Sequence, residues 1–349
     1  MNFNKVGFGI IGTGAVAAAH AMAITHSEFA DLVAVYDVVP ERAKEFAAKY
    51  NTQAVESFEE FLKTPGLEAV TVATPSGFHH DPVCAAARAG IHILCEKPLD
   101  ITLDKIDDMI KVCEENKVFL AAIFQSRFKK AVIAIRKALD EGRFGKLVSV
   151  SAKQLWYRDT AYYKSASWRG TWAIDGGGAL MNQGSHTVDQ LLYLGGEVKR
   201  LSAHTANLLH DIEVEDTAVA SMEFVNGACG TIEVSTACQP GYPVTIEITG
   251  TKGSALIKSD TIARWQFVEE RPEDEEIRKE LADGSKTSGG ASSAMDFDYH
   301  GHMYHVDNLA RAIRNGEALI LDGKDGRLAV EFIQAVYESS RTGMPVTLR

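Results

Sequence analysis

The sequence predicts an α/β protein in two parts: a parallel sheet built of βαβ units, then an α+β domain with an open, largely antiparallel sheet. The chain has 349 residues, which corresponds to about two domains of ordinary size. From residue 5 to about residue 125, short apolar runs alternate with helical stretches, as they do in βαβ units. Beyond residue 127, several β-rich runs follow one another without intervening helices, which is typical of antiparallel sheets. We therefore expect domains at 1–125 and 126–349.

The first part is predicted to alternate strands and helices throughout. The predicted strands are Val6–Ile11, Leu32–Tyr36, Ala69–Ala73, His92–Cys95 and Val118–Ile123. The predicted helices are Ala15–Thr25, Pro40–Tyr50, Ser57–Lys63, Pro82–Ala89 and Leu103–Asn116. This alternation places the carboxyl ends of the strands at one edge of the sheet, where open α/β sheets bind ligands.

The second part is predicted to hold a sheet flanked by helices. The predicted helices are Lys129–Glu141, the apolar helix Ala179–Tyr193, His302–Asn315 and Lys324–Thr342. The predicted strands are Leu147–Leu155, Ala218–Phe224, Gly230–Ala237, Thr245–Gly250, Ser254–Lys258 and Ala263–Phe267. The segment Glu269–Asp298 combines charge runs with Ser and Gly and has little periodicity, so we expect a solvated loop or insertion there.

Composition excludes several classes of protein and partner. Hydrophobic residues make up 46% and charged residues 24%, as in globular proteins. The net charge of −11 disfavours nucleic acids and anionic membranes as partners. No signal-peptide pattern begins the chain and no apolar run approaches the roughly 20 residues of a membrane span. The five cysteines form no CxxC pair, so we expect a cytoplasmic protein without disulfides or a thiolate metal site.

A glycine-rich turn follows the first predicted strand. Gly12-Thr13-Gly14-Ala15-Val16-Ala17 has the GxGxxA spacing of a dinucleotide site, in which glycines allow backbone N–H groups to approach a pyrophosphate. Asp37 ends the second strand, where a carboxylate accepts hydrogen bonds from ribose hydroxyls and repels a 2′-phosphate. We therefore expect NAD rather than NADP. Arg42 keeps NADP open, because an arginine shortly after this strand can bind the 2′-phosphate.

Polar residues also follow the third and fourth strands. Thr74 and Pro75 come after one, with His79 close behind, and the pair Glu96-Lys97 comes directly after the other. A charged pair at the ligand-binding edge of a parallel sheet favours a functional role. A surface ion pair of little energetic value is the alternative.

In the second part, a glycine triplet at 176–178 opens the apolar helix. Asn182, His186 and Asp189 are spaced i, i+4 and i+7, which places them on one helical face. His186 can carry a proton near neutral pH, with Asp189 as its orienting partner. The alternative is a histidine that is simply satisfied within the core.

An aromatic and arginine-rich stretch precedes this helix, and its residue types suit pyranose faces and anionic groups. Its members are Tyr157, Arg158, Tyr162, Tyr163, Trp168, Arg169 and Trp172. The alternative is that this stretch is a loop packed beneath a cleft. For Arg169 we favour a functional role, because a phosphate or carboxylate would satisfy its guanidinium. His302 and His305 lie three apart, but we expect no metal there and assign His302 a pocket-lining role.

These motifs occur in an order that resembles the Gfo/Idh/MocA oxidoreductases, the family of glucose-fructose oxidoreductase and inositol dehydrogenase. The resemblance rests on Gly12-Thr13-Gly14, Thr74-Pro75, Glu96-Lys97-Pro98, the stretch from Gly176 through His186 to Asp189, and the closing motifs near Asp322 and Ser339. It implies a Rossmann domain that binds NAD, a sugar or cyclitol substrate, and a homo-oligomer formed through the open sheet.

The resemblance also implies residue roles. Lys97 matches the catalytic lysine and His186 the active-site histidine. Many relatives carry aspartate where this chain has Asn182, and because an amide cannot take a proton, Asn182 is expected to position the substrate. The expected substrate-binding residues are Asn182, Arg169, Trp168, Tyr157 and His302. The expected cofactor-binding residues are Gly12, Thr13, Gly14, Ala15, Val16, Asp37, Thr74, Pro75, His79, Glu96, Lys97 and Gln125.

The sequence therefore predicts an NAD-dependent dehydrogenase acting on a secondary hydroxyl of a sugar, glycoside or sugar derivative. The Leu-Met-Asn-Gln-Gly-x-His variant is similar to branches that oxidise sugar nucleotides, which points to C3 of a pyranose. Two alternatives stay open. One is a glycosidase or lyase that uses bound NAD transiently, and the other is a regulator that binds sugar or NAD without catalysis.

Overall fold

The computed structural model describes residues 4–282 and 299–348, which divide into two compact units. The first comprises residues 4–125 and 299–328, and the second residues 126–282 and 329–348. Our expectation that 126–349 forms one domain is therefore wrong for residues 299–328. Val306, Leu309 and Ala310 in that stretch belong to the buried core of the first unit, because their helix packs against the first helix of the chain.

The strands form two sheets, and they are numbered along the chain. The first sheet contains β1 (Val6–Ile11), β2 (Ala30–Tyr36), β3 (Gln53–Ala54), β4 (Ala69–Val72), β5 (His92–Cys95) and β6 (Leu120–Ala122). The second contains β7 (Leu147–Leu155), β8 (Val198–Ala206), β9 (Thr217–Phe224), β10 (Cys229–Ser235), β11 (Thr245–Gly250), β12 (Gly253–Lys258), β13 (Thr261–Phe267) and β14 (Val346–Thr347).

The helices are numbered in the same way. They are α1 (Ala17–His26), α2 (Pro40–Tyr50), α3 (Phe58–Phe61), α4 (His80–Arg88), α5 (Leu103–Glu115), α6 (Lys130–Asp140), α7 (Thr160–Lys164), α8 (Ser185–Gly195), α9 (Pro272–Glu280), α10 (Tyr299–Asn315) and α11 (Gly323–Thr342). Short 3₁₀ turns lie at Ser76–Phe78 and Gln125–Phe128, and a π-helical turn lies at Ala179–Gln183.

The first sheet is parallel, with strand order β3-β2-β1-β4-β5-β6. All six residues of β1 are buried, as expected for a central strand covered on both faces. The order reverses direction between β1 and β4, and ligands of doubly wound sheets bind beside such a switch point at the carboxyl ends of the strands. The predicted α/β class of this unit is confirmed.

The second sheet is mixed, with order β13-β12-β11-β7-β10-β9-β8-β14. Strands β7 and β10 pair in parallel and the other pairs are antiparallel. Buried residues alternate with more exposed ones along β9, so one face of the sheet packs against helices of the unit. The predicted largely antiparallel sheet is confirmed. Strand β8 was not predicted, because few of its apolar side chains are buried.

The segment Glu269–Asp298 differs from the expected loop. Residues Pro272–Glu280 form α9, and its Asp274 forms a bidentate ion pair with Arg143 at 2.6 and 2.7 Å. Asp274 also accepts a hydrogen bond from Trp265 Nε1 at 2.6 Å. These buried contacts anchor the helix to the sheet, which the charge run did not reveal. The rest of the predicted loop, residues 283–298, lies outside the described residues.

No helix in the described ranges combines the length and apolarity that a membrane crossing requires.

Candidate active site

The glycine turn between β1 and α1 is shaped for close approach by a ligand. Gly12 has φ +89°, and a Cβ there would lie 3.0 Å from the backbone of Ala73 and Thr74, so only glycine fits without strain. At Gly14 an added Cβ would meet no described atom within 4 Å. Gly14 and Ala15 are exposed, and α1 begins just beyond Val16. The open start of this helix therefore offers backbone N–H groups to an anion.

Asp37 lies beside this turn, at the end of β2. Its Oδ2 accepts hydrogen bonds from Thr13 N at 2.8 Å and Thr13 Oγ1 at 2.9 Å, and its Oδ1 accepts one from Val39 N at 2.9 Å. The structure thus brings together two of the residues predicted to bind the cofactor, and it shows that the Asp37 carboxylate also orders the turn. The exposed Arg42 is in the first turn of α2.

His79 connects the two loops that were predicted to bind the cofactor. Its Nε2 lies 2.8 Å from the carbonyl oxygen of Thr74, and its Nδ1 lies 2.9 Å from that of Pro98. The side chain is 1% exposed. Both ring nitrogens are used by the loops, so the direct cofactor contact expected of His79 is corrected to a positioning role. Pro75 begins the 3₁₀ turn on the same loop.

Glu96 is held by two histidines that lie far from it in sequence. Its Oε1 accepts hydrogen bonds from His20 Nε2 and His302 Nε2, both at 3.0 Å, and its Oε2 accepts one from Lys97 N at 3.0 Å. Burial raises the pKa of Glu96, but the bonds from His20 and His302 outweigh it and hold that pKa well below its usual range. Burial also lowers the pKa of His20.

This arrangement revises the role predicted for His302. Its side chain is 1% exposed and binds Glu96, so the pocket-lining, substrate-binding role is replaced by support of the Glu96-Lys97 loop. His20 was not identified from the sequence. The sequence shows only a histidine six residues after Gly14, on the first helix. The fold is needed to show that this position lies beside Glu96.

The residues of the first unit fit a dinucleotide. Beyond the open turn, Gln125 Oε1 is buried and lacks a hydrogen-bond partner within the described parts of the chain. A ligand that donates a hydrogen bond would satisfy this atom. The residues placed around the strand ends that can hold NAD are Gly12, Thr13, Gly14, Ala15, Val16, Asp37, Thr74, Pro75, Glu96, Lys97 and Gln125.

In the second unit, the predicted helix Ala179–Tyr193 is interrupted. A π-helical turn covers Ala179–Gln183, Gly184 follows, and α8 begins at Ser185. Glu215 anchors this turn, because its carboxylate accepts hydrogen bonds from Gly178 N and Leu180 N, each at 2.9 Å, and from Tyr337 Oη at 3.0 Å. Burial raises the pKa of Glu215 to about 7. No local motif indicated this anchor, because Glu215 lies 35 positions from Leu180.

Asn182 and His186 are both partly exposed on this segment. Asn182 Nδ2 donates a hydrogen bond of 2.5 Å to Asp175 Oδ1, and Asp175 Oδ2 accepts one from Gly170 N at 2.8 Å. The amide of Asn182 is therefore oriented by a buried carboxylate, as a positioning group requires. Asp189, expected to orient His186, forms an ion pair with Arg127 at 2.7 Å.

Part of the aromatic and arginine-rich stretch comes together next to Asn182. Tyr162 Oη accepts hydrogen bonds from Arg169 Nη1 at 2.9 Å and from Gln183 Nε2 at 2.7 Å. The guanidinium of Arg169 lies 4.6 Å from the ring centre of Tyr162 and 4.5 Å from that of Trp168.

A second guanidinium lies on the same ring. Arg158 is 5.5 Å from the ring centre of Tyr162 and only 7% exposed, and burial lowers its pKa. We name Arg158, Tyr162, Trp168 and Arg169 the arginine cluster. Tyr157 pairs with Ala237 through its backbone, and its carbonyl accepts a hydrogen bond from Arg158 Nη1 at 3.0 Å.

Comparison with known proteins agrees with this geometry. Residues 6–124 match the family described as "Oxidoreductase family, NAD-binding Rossmann fold", and residues 132–256 match the "GFO/IDH/MocA C-terminal domain". The chain is 27% identical over 341 residues to an inositol 2-dehydrogenase of Rhizobium meliloti, with 96% of each chain covered. It is 26% identical over 332 residues to a myo-inositol 2-dehydrogenase of Thermotoga maritima, with 92% of each covered.

Among solved structures, the WlbA dehydrogenase of Bordetella pertussis, in complex with NADH and UDP-GlcNAcA, is 32% identical with a TM-score of 0.90. The alignment covers 100% of this chain and 99% of that one. The protein belongs to the GFO/IDH/MocA family of NAD-dependent oxidoreductases. It is an NAD-dependent dehydrogenase of the sugar and polyol class, as the order of motifs predicted.

Proposed function

We propose that this protein oxidises a secondary hydroxyl, at C3 of the pyranose ring, in an anionic sugar derivative of the nucleotide-linked hexuronic acid class. The observation that carries the proposal is the arginine cluster. It presents two guanidinium groups around Tyr162 and is joined by Gln183 to the turn that holds Asn182. Similarity over the whole chain to a dehydrogenase bound to UDP-GlcNAcA supports the same substrate class.

The charge of the cluster explains the preference for an anion. The guanidinium groups of Arg158 and Arg169 are both positively charged, and a carboxylate or phosphate binds a guanidinium through paired hydrogen bonds. The aromatic faces of Tyr162 and Trp168 suit the apolar face of a sugar ring. An anionic hexose derivative satisfies both requirements, whereas a neutral cyclitol satisfies only the second.

Catalysis is assigned to Lys97 and His186. The ammonium of Lys97 is proposed to hold the reacting oxygen and stabilise its developing negative charge. The imidazole of His186 is proposed to take the hydroxyl proton. Asn182, oriented by Asp175, is proposed to hold a neighbouring hydroxyl. NAD, when bound, supplies the redox chemistry by accepting a hydride from the carbinol carbon.

The substrate class is tested by steady-state kinetics on sugar pairs that differ only in charge. Each pair compares a UDP-linked hexuronic acid with the corresponding UDP-linked hexose, which has a hydroxymethyl group in place of the carboxylate, and NADH absorbance reports turnover. Arg169→Gln is expected to raise KM for the acid roughly tenfold or more, since a charge-assisted hydrogen bond contributes about 1.5 to 3 kcal/mol. The exposed Arg200→Gln serves as the matched control and is expected to leave KM unchanged. Equal KM values for Arg169→Gln and wild type would contradict the assignment.

The catalytic assignment has its own test. Lys97→Met is expected to lower kcat by roughly a hundredfold or more, a loss far larger than any change in NAD affinity. Lys44→Met, at an exposed position, is the matched control. Wild-type turnover in Lys97→Met would remove Lys97 from the mechanism.

The two alternative functions predict different results in these assays. A glycosidase or lyase that uses NAD transiently would release a cleaved product without net NADH. A regulator would bind NAD and sugar with no product at all. The homo-oligomer and the cytoplasmic location stay predictions, and the first is checked by light scattering of the purified protein.

A further inference from the structure

A cluster of three potential metal ligands lies on two neighbouring helices of the first unit. His80 and Cys84 are on α4 and Asp108 is on α5. His80 Nε2 lies 2.9 Å from Asp108 Oδ2, and Cys84 Sγ lies 3.6 Å from His80 Nε2 and 3.8 Å from Asp108 Oδ2. One nitrogen, one sulfur and one oxygen thus form a compact triangle.

The fold explains how the triangle is built. His80 is the first residue of α4 and Cys84 comes four residues later, so both side chains lie on the same helical face. Helix α5 packs against α4 and brings Asp108 opposite them. The side chains of His80 and Asp108 are 23% and 46% exposed, whereas Cys84 is buried beneath them. The triangle therefore has a buried sulfur on one side and is open to solvent on the other.

The dimensions of the triangle match those of a tetrahedral metal site. With bonds of about 2.0 to 2.3 Å, zinc separates nitrogen from oxygen ligands by roughly 3.3 Å and sulfur from either by roughly 3.5 Å. The three measured separations of 2.9, 3.6 and 3.8 Å differ from these values by only a few tenths of an ångström. Small side-chain adjustments are enough, and the exposed side leaves room for a water molecule as fourth ligand.

An outer carboxylate completes the arrangement. His80 Nδ1 lies 2.8 Å from Asp81 Oδ1, which leaves Nε2 facing Cys84 and Asp108. Metal-binding histidines are commonly oriented in this way by a carboxylate on the other ring nitrogen. The backbone N–H of His80 also donates to Asp100 Oδ2 at 3.2 Å and fixes the start of the helix.

We propose that His80, Cys84 and Asp108 form a zinc-binding site in which Asp81 orients the histidine and water supplies the fourth ligand. Zinc bonds form to Nε2, to the thiolate sulfur and to a carboxylate oxygen, and the thiol proton of Cys84 is released to solvent. The mixed nitrogen, sulfur and oxygen donors favour zinc or another borderline metal over magnesium or calcium. We expected no metal because the five cysteines form no CxxC pair. Spacing along the chain does not place Asp108 beside His80 and Cys84.

A bound ion would join α4 to α5. Helix α4 follows His79, which connects the Thr74 and Pro98 loops, so the ion would stiffen the support of those loops. This role is structural and independent of the proposed substrate.

A second group of potential ligands, His20, Glu96 and His302, lies in the same unit and is fully buried. It contains no sulfur, and each histidine already donates to Glu96. Metal bound there would lack a thiolate ligand. The two sites are therefore distinguished by spectroscopy.

Cobalt(II) titration of the purified full-length protein tests the proposal, because cobalt replaces zinc and shows a thiolate-to-metal charge-transfer band in the near ultraviolet. We expect this band to saturate at one cobalt per chain and zinc to abolish it by competition. Cys84→Ser is expected to remove the band, and Asp81→Asn to weaken cobalt binding roughly tenfold. Cys229→Ser, which alters an exposed thiol, is the matched control and should keep the band.

The absence of the band in wild-type protein, or its persistence in Cys84→Ser, would overturn the proposal. If Cys84→Ser folds poorly, Asp108→Asn provides a second test, because it replaces a partly exposed ligand and keeps the thiol of Cys84. Zinc is then expected to raise the melting temperature of wild type and to leave that of Asp108→Asn unchanged, and equal shifts in both proteins would also overturn it. None of these readouts depends on dehydrogenase activity.

Discussion

Glu215 provides a quantitative test of how the second unit holds the π-helical turn at Ala179–Gln183. Its buried carboxylate accepts three hydrogen bonds, from Gly178 N, Leu180 N and Tyr337 Oη, yet burial raises its pKa from 4.5 to about 7. Between these two values the folded protein retains a proton that the unfolded chain releases. By linkage, the free energy of unfolding must fall as pH rises through this interval.

The size of this effect follows from the two pKa values. They differ by about 2.5 pH units, and at about 1.36 kcal/mol per unit this corresponds to a contribution of about 3 kcal/mol. The contribution is fully present below pH 4.5 and is lost as pH rises through about 7. Glu215→Gln removes the titration, so the mutant should lack this part of the pH dependence.

Urea denaturation of wild type and Glu215→Gln at a series of pH values measures the effect. Between pH 4.5 and a pH above 7, wild type should lose about 3 kcal/mol of unfolding free energy relative to Glu215→Gln. Glu215→Gln is expected to be less stable than wild type at low pH, since an amide cannot accept from all three donors. Glu213→Gln, at an exposed position, is the control. If the unfolding free energy of Glu215→Gln falls with pH as steeply as that of wild type, Glu215 is not the source of this pH dependence.

Two further predictions concern the cofactor turn and α9. Asp37→Ala is expected to weaken NAD binding roughly tenfold or more, because the carboxylate orders Thr13 and is proposed to accept hydrogen bonds from the ribose hydroxyls. The exposed Asp31→Ala should leave NAD affinity unchanged. Titration calorimetry measures both affinities, and unchanged NAD affinity in Asp37→Ala would contradict the proposed role. Asp274→Ala is expected to destabilise the protein by about 3 to 5 kcal/mol because it leaves the guanidinium of Arg143 buried without its partner. Chemical denaturation checks this value, and a loss no larger than that of Glu280→Ala, which breaks an exposed pair, would show that the contact adds nothing.

Local patterns predicted the fold well where each element carried its own signal. The strand β1 and the helix α2 have the predicted ends, because an apolar run before Gly12 and a proline at the helix start mark them. The strand β8 was missed since it pairs near a sheet edge with few buried apolar residues. Helix α9 was missed because a charged sequence gives no sign that Asp274 is neutralised by the distant Arg143.

For the candidate site, sequence spacing identified the residues whose proposed role rests on a local motif, such as Gly12 and Asp37. Residues that act on another side chain were not identified, because their partners are distant in sequence: His20 binds Glu96 across 76 positions, and Glu215 binds Leu180 across 35. Sequence spacing on one helix was also an incomplete guide, since the π-helical turn at Ala179–Gln183 changes the face on which Asn182 lies.

Transfer of deuterium from C3 of the sugar to NADH is the most direct test of the proposed oxidation at C3. Purified protein is mixed with NAD and a UDP-linked N-acetylhexosaminuronic acid that carries deuterium at C3, and the NADH formed is analysed by mass spectrometry. We expect the NADH to contain the deuterium, and we expect Lys97→Met to form almost no NADH. Absence of NADH despite tight NAD binding, or NADH without deuterium, would contradict oxidation at C3 of this substrate class.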